Sequence, residues 1–236
     1  MTQKDPFKWK HYQKEIILLC VRWYLRYSLS YRDLEEMMLE RGIEVDHTTI
    51  YRWVQQLAPE IDKRTRPFLK PTNDSWKVDE TYIKVKGKWK YLYRAIDSEG
   101  NTLEFMLSAR RDHEAAMRFF KKVLKAKHNK QPRVINVDKN AAYPPAIEKL
   151  KEKKILDNDS ELRAIKYLNN RIEQDHRFIK RRVNPGLGFH SFNTARRTLA
   201  GYEIMNAIRK GQVNNTKKGD ILAQNKFISS LFETIA

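Results

Sequence analysis

The sequence predicts an α/β mixed sheet with helices on its faces, preceded by a small all-helical domain. Three observations carry that prediction. The first seventy residues hold apolar runs at helical spacing, as in YQKEIILLCVRWYLRY. The segment RTRPFLKPTNDS, with two prolines and a Thr-Asn-Asp-Ser run, then breaks the pattern. Beyond residue 75, β-branched and aromatic residues alternate with lysine, which is the period of a strand.

The elements follow in order. Residues 12–27 read as an apolar-rich helix. Ser30 opens a second helix, with Asp33 at the capping-box distance and Leu34, Met37 and Leu39 as its inner face. Gly42 ends it in the turn ERGIEV, and Asp46 caps a third helix with Ile50, Trp53, Val54 and Leu57 inward. Two short helices joined by a Gly-containing turn match a helix-turn-helix, whose second helix enters the DNA major groove. His47, Thr48, Thr49, Tyr51 and Arg52 are then the candidate base readers. An ordinary three-helix bundle has the same pattern.

WKVDETYIKVKGKWKYLYRAID reads as two strands around a Lys-Gly turn, and TLEFMLS as a third. Asp112 caps a helix with Ala116, Phe119, Phe120, Val123 and Leu124 inward. Arg133–Val137 is a short buried strand ending in Asp138, and Pro144 and Pro145 suit the first turn of a helix running to about Lys153. Residues 163–168 suggest another strand, and helices follow from Asn170 to about Val183 and from Ser191 to Lys210. Three antiparallel strands extended by a strand after a helix make a mixed sheet. The expected domains are 1–70, 71–211 and a tail or docking helix at 212–236, beyond a flexible joint QVNNTKKGD.

The 236 residues carry 47 Lys and Arg against 29 Asp and Glu, a net charge of +18. Such an excess implies an anionic partner, with nucleic acid the leading candidate. At 41% hydrophobic and 11% aromatic, the chain is too apolar for a disordered basic tail. No apolar run spans a bilayer, so no membrane partner is expected. The start MTQKDPFKWK lacks a signal peptide's apolar stretch, which points to the cytoplasm, with the nucleoid as the DNA-bound location. A single cysteine, Cys20, excludes disulfides and cysteine-based zinc sites.

Three acids stand out. Asp79 lies inside the first strand, where an acid is disfavoured unless it sits on a solvated face. Asp138 follows the apolar run VINV at the carboxyl end of a strand, where open α/β sheets place ligands and where turn or capping aspartates also occur. On the helix from Asn170, Ile172, Ile179 and Val183 share one face. Glu173, Arg177 and Lys180 form an adjacent stripe, and His176 lies between the two. Glu173 and Arg177 alone would be a surface i,i+4 pair.

Together Asp79, Asp138 and Glu173, with 58 and 34 residues between them, resemble the DDE triad of transposases and retroviral integrases. In that superfamily the acids sit on the first strand, after the fourth strand and on a later helix of an RNase H-like fold. The runs WKVDETYIKVKGKWKYLYRAID and YLNNRIEQDHRFIKRR look like the bacterial insertion-sequence-6 family of transposases. So does the N-terminal SYRDLEEM followed by GIEVDHTTIYRWV, and the resemblance covers essentially residues 10–210. Lys77 is a small departure, since family members often carry His there.

The resemblance implies an RNase H-like catalytic domain and a DDE transposase that cleaves and transfers DNA strands by metal-dependent phosphodiester hydrolysis and transesterification. Its movement would be replicative, through cointegrates. Double-stranded DNA, as terminal inverted repeats and as target, is the expected partner, and synapsis of two ends requires at least a homodimer or a higher homo-oligomer. Phosphoryl transfer on DNA suits two Mg²⁺ ions on carboxylates, with Mn²⁺ as a substitute. Lys180 occupies the basic position two helical turns beyond the Glu, and DNA is expected along Arg177, Lys180 and Arg181. A DNA-binding regulator without catalysis and an RNase H-like nuclease that cuts without joining are the competing readings.

Other residues read as structural. Glu80 points to the opposite strand face from Asp79 and is left outside the metal site. Asp97 reads as a turn former, Asp175 as a local partner of an arginine and His176 as a packing histidine. Trp76 and Trp89 flank the hairpin, where cross-strand packing is expected. The stretches 16–27 and 227–235 are candidate partner surfaces.

Overall fold

The computed structural model describes residues 6–8, 10–165 and 169–233. It divides into two compact units, one of residues 1–68 with 191–236 and one of residues 69–190.

The first unit contains α1 (Lys14–Arg26), α2 (Tyr31–Leu39), α3 (His47–Thr65), α7 (Phe192–Arg209) and α8 (Ile221–Ser230). The expected capping box closes α2: Asp33 N donates to Ser30 Oγ at 3.0 Å, and Ser30 N to Asp33 Oδ2 at 2.7 Å. The inner face of α2 is Leu34 and Met38, one helical turn apart, and the expected inner residue Leu39 is exposed. Ile50, Trp53, Val54 and Leu57 of α3 are buried as expected.

Helix α7, expected in the catalytic domain, packs instead on α1 and α3. Gly201 permits the close approach, because a Cβ there would lie 2.6 Å from Leu25 Cδ2 and 2.7 Å from Ala58 Cβ. Gln55 Nε2 donates to Thr198 Oγ1 at 2.8 Å across the same packing. By packing, the compact units divide between residues 190 and 191, with α7 in the helical unit. The expected flexible joint is packed: Gln212, Val213 and Thr216 are buried, and Asn214 N donates to Phe68 O. Both candidate partner stretches are used internally as far as residue 233; residues 234 and 235 lie outside the described residues. Ile17, Leu18, Cys20, Val21 and Leu25 are core residues, and Phe227 and Phe232 meet Phe68 and Phe7 edge-on. Burial pushes the Cys20 thiol up to about 11.

The second unit is a five-stranded mixed sheet of order β3-β2-β1-β4-β5 with helices on both faces. Strands β1 (Ser75–Val85), β2 (Lys88–Asp97) and β3 (Thr102–Ser108) form an antiparallel meander. Lys86 and Gly87 both take positive φ, the geometry of a two-residue I′ turn. Strand β4 (Val134–Val137) runs parallel to β1, and β5 (Glu161–Ala164) parallel to β4. Strand β5 begins two residues before the expected start; residues 166–168 of that expected strand lie outside the described residues.

One sheet face carries Trp76, Val78, Tyr93 and Ala95 against α4 (His113–Lys125) and α5 (Tyr143–Glu152). Phe119 and Phe120 fill that layer, each contributing roughly 1.5–3 kcal/mol of burial. Against the other face lies α6 (Asn170–Val183), with Ile172, His176, Ile179 and Val183 buried. Among the described residues no helix is long and apolar enough to cross a membrane.

Candidate active site

Parallel pairing of β1 with β4 brings two of the predicted acids together. The ladder pairs Ser75 with Val134, Trp76 with Ile135 and Lys77 with Asn136, a constant step of 59. Asp79 and Asp138 differ by the same 59, so the register carries both to one end of the strand pair. Their carboxylate oxygens, with one from Glu80, lie within 4.8 Å of one another. Oxygen donors at such spacing suit a hard divalent cation.

Asp79 is held from behind by a buried relay. His176 Nε2 lies 3.1 Å from Asp79 Oδ2, and His176 Nδ1 lies 3.3 Å from Arg94 Nη1. A guanidinium only donates, so Nδ1 accepts from Arg94 and the ring proton sits on Nε2, donated to Asp79. Arg94, 1% exposed in mid-strand, also donates to Asp175 Oδ2 at 2.6 Å. The expected local partner of Asp175 is thus an arginine from β2, since α6 lies across that strand. His176 is buried as expected, and in addition it orients an acid.

Glu80 departs from its expected isolation. It does alternate away from Asp79 and is buried on the α4–α5 side of β1. The turn after β4 reaches back to it: Asn140 Nδ2 donates to Glu80 Oε1 at 2.8 Å, while Asn140 N donates to Asp138 Oδ1 at 3.0 Å. Tyr143 and Arg111 also donate to Glu80, and Arg111 Nη2 lies 3.5 Å from Asp138 Oδ2. Burial, then the Glu80 charge, pushes the Tyr143 hydroxyl well above its ordinary value, so it stays a donor. Strand alternation alone could not show this, because the link runs through a loop.

Glu173 is exposed on α6, three residues before His176, and is not among the clustered carboxylates. Arg177, Lys180 and Arg181 are likewise exposed on α6. Lys77, two residues before Asp79, is half-buried; burial and then Arg171 lower its ammonium pKa. Asp97 is the expected turn former, accepting from Glu99 N at 3.0 Å and Asn101 N at 2.8 Å.

At the start of α3, Asp46 accepts from the backbone and hydroxyls of Thr48 and Thr49. Those hydroxyl bonds, with the Thr49 backbone, hold its carboxyl well below the usual range. His47 Nδ1 lies 3.0 Å from Glu35 Oε2, and Tyr51 sits edge-on to Tyr31. Tyr51 and Arg52 are exposed; His47 and Thr49 are half-buried.

Residues 73–212 match a family profile described as a DDE domain. The chain is similar to the transposase for insertion sequence-like element IS431mec of Staphylococcus aureus strain Mu50, at 44% identity over 204 residues, covering 86% of this chain and 88% of that one. The same figures hold for the transposase for insertion sequence element IS257 in transposon Tn4003 of Staphylococcus aureus. Among solved structures, the HTLV-2 integrase catalytic core domain in complex with magnesium (trimeric form) is 17% identical, with a TM-score of 0.40, covering 50% of this chain and 73% of that one.

Proposed function

This chain belongs to the insertion-sequence-6 family of DDE transposases, and from that membership we propose how its residues cut and join DNA. It is a DNA transposase, an enzyme of DNA strand cleavage and strand transfer. The observation that carries the residue assignment is the shared step of 59, which brings Asp79 on β1 and Asp138, just past the end of β4, to the same end of the parallel pair. These two acids and Glu173 would form the triad and would hold divalent metal, two Mg²⁺ ions with Mn²⁺ as a substitute. When bound, the metal activates the attacking oxygen and neutralises charge at the scissile phosphate.

The chain's own residues do the rest. His176, donating from Nε2, fixes one oxygen of Asp79 and ties the helix bearing Glu173 to β1. Glu80, through Asn140, fixes the turn that carries Asp138. Lys180, Arg177 and Arg181 hold phosphates beside the cut. Helices α2 and α3 form the helix-turn-helix that binds terminal inverted repeats, with His47, Thr48, Thr49, Tyr51 and Arg52 at the bases. Two ends must be held at once, so the working form is a homodimer or a higher homo-oligomer. A DNA-binding regulator would leave the paired aspartates without a role.

The test incubates the protein with Mg²⁺, a labelled terminal-repeat duplex and plasmid. Joined product is expected from the parent. Asp79→Asn, Asp138→Asn and Glu173→Gln should each abolish it while repeat binding persists. Near-normal joining by any variant removes that residue from the triad, and nicks without joined product would make the protein a nuclease.

A further inference from the structure

We propose that Tyr82, Trp89 and Tyr91, with Lys84, form a platform on the β1–β2 hairpin that stacks unpaired DNA bases next to the cut. This rests on the reading of the chain as a DNA-joining enzyme.

Trp89 is 60% exposed and Tyr82 50%, although aromatic side chains of this size are usually mostly buried. Both lie on the sheet face that α4 and α5 cover further along, at Trp76, Val78 and Tyr93. Tyr82 stands opposite Tyr91, and Lys84 opposite Trp89. Tyr82 meets Trp89 edge-on at 6.3 Å and Tyr91 at a tilt at 5.5 Å, so the rings do not stack on one another; the exposed rings of Tyr82 and Trp89 offer a face, and Tyr91, packed in part against the core, backs them. A nucleobase stacks on such a face whatever its sequence. Lys84 Nζ, 5.9 Å from the Trp89 ring centre, adds a cation at the same spot.

Place and charge select the occupant. Tyr82 follows Glu80 by two residues on the same face, about 7 Å along the strand, and Glu80 carries the turn bearing Asp138. From residue 81 to 96 there is no acid, while Lys84, Lys86, Lys88 and Lys90 cluster around the turn. That charge complements a phosphate backbone and opposes pairing with the same hairpin of a second copy.

The hairpin is also held rigid. Lys86 N donates to Phe189 O and Phe189 N to Lys84 O, both at 2.8 Å, from the segment that follows α6. Gly188 allows this approach: its φ is +105°, and a Cβ there would lie 2.4 Å from Lys84 O. A fixed platform loses little freedom when a base settles on it.

The test uses the full chain and fluorescein-labelled duplexes of one random sequence, either blunt or carrying a 3′ tail of six thymidines. The parent should prefer the tailed duplex. Trp89→Ala and Tyr82→Ala should each weaken tailed binding roughly tenfold, leave blunt binding unchanged, and Trp89→Phe should restore most of the loss. Equal affinity of parent and alanine variants for the tail, or equal loss on blunt DNA, would overturn the platform. So would a change of sedimentation by Trp89→Ala without a change in DNA binding, which would assign the patch to a second copy. Should the parent join DNA while these variants bind the tail normally, only the platform falls; should the parent bind neither duplex, the joining reading falls with it.

Discussion

Replacing His176 with Phe tests whether the acids proposed to hold metal are positioned by the protein or simply lie near one another. The ring volume is nearly kept, while two hydrogen bonds go: the 3.1 Å donation to Asp79 and the 3.3 Å acceptance from Arg94. Arg94 is 1% exposed, so its lost acceptor is not replaced by water; a buried hydrogen bond to a charged group carries about 1.5–3 kcal/mol. Denaturant unfolding should show a loss of that order. The functional effect is separate. A group that orients a metal ligand typically changes metal affinity about 10–100-fold when removed. Half-maximal joining should therefore need correspondingly more Mg²⁺, and saturating Mg²⁺ should restore most activity. His176→Gln, which keeps an N–H within reach of Asp79, should lie between Phe and parent. Superposed Mg²⁺ curves for Phe and parent would refute the positioning role. Activity absent at every Mg²⁺ concentration would instead place His176 among the reacting groups.

Gly201→Ala should destabilise the helical unit by about 1–3 kcal/mol through overpacking, read by thermal unfolding, because its Cβ would meet Leu25 and Ala58. Asp46 titrates below the usual carboxylate range, so its contribution to stability is complete above about 3.9 and is lost only as pH falls through the lower folded value. Amide exchange of Thr48 and Thr49 should thus stay slow through pH 4, and a midpoint there would refute the capping account. Arg52→Ala should weaken repeat binding by roughly 1–3 kcal/mol on particular sequences if it reads a base, whereas equal loss on random DNA would mark a phosphate contact. Lys180→Ala should depress joining more than affinity, and Arg177→Ala or Arg181→Ala should lower the salt slope by about one unit each.

Much of the sheet was legible because β1 and β2 alternate apolar residues with lysine around a Lys-Gly turn, and that turn joins them in the structure. Asp79 and Asp138 were legible as acids where acids are costly, but their pairing is a matter of register, which no local pattern encodes. Arg94 was missed although it carried a signal: a cation inside YLYRAI, where only a buried partner makes it tolerable. The packing of α7 on α1 and α3 was hidden for a different reason. From Thr198 to Ile208 it is buried on all sides, so its sequence has no polar face to show which domain it serves. Segment 212–220 reads as a joint by composition, yet burial of Gln212, Val213 and Thr216 depends on surfaces far off in sequence.

Clustered carboxylates repel, and a fold that gathers Asp79, Glu80 and Asp138 has to offset that before any metal arrives. It does so asymmetrically. Glu80, the most buried, takes Arg111, Asn140 and Tyr143; Asp138 takes Asn140 N and shares Arg111; Asp79 takes His176. The donors engage Glu80 most fully, and Glu80 in turn anchors the turn at Asp138 through Asn140, while Asp79 and Asp138 keep part of their surface open. Glu80 is therefore placed as a strut and the two aspartates as the proposed ligands, a division of labour among three adjacent acids that burial and donor count decide and charge alone does not.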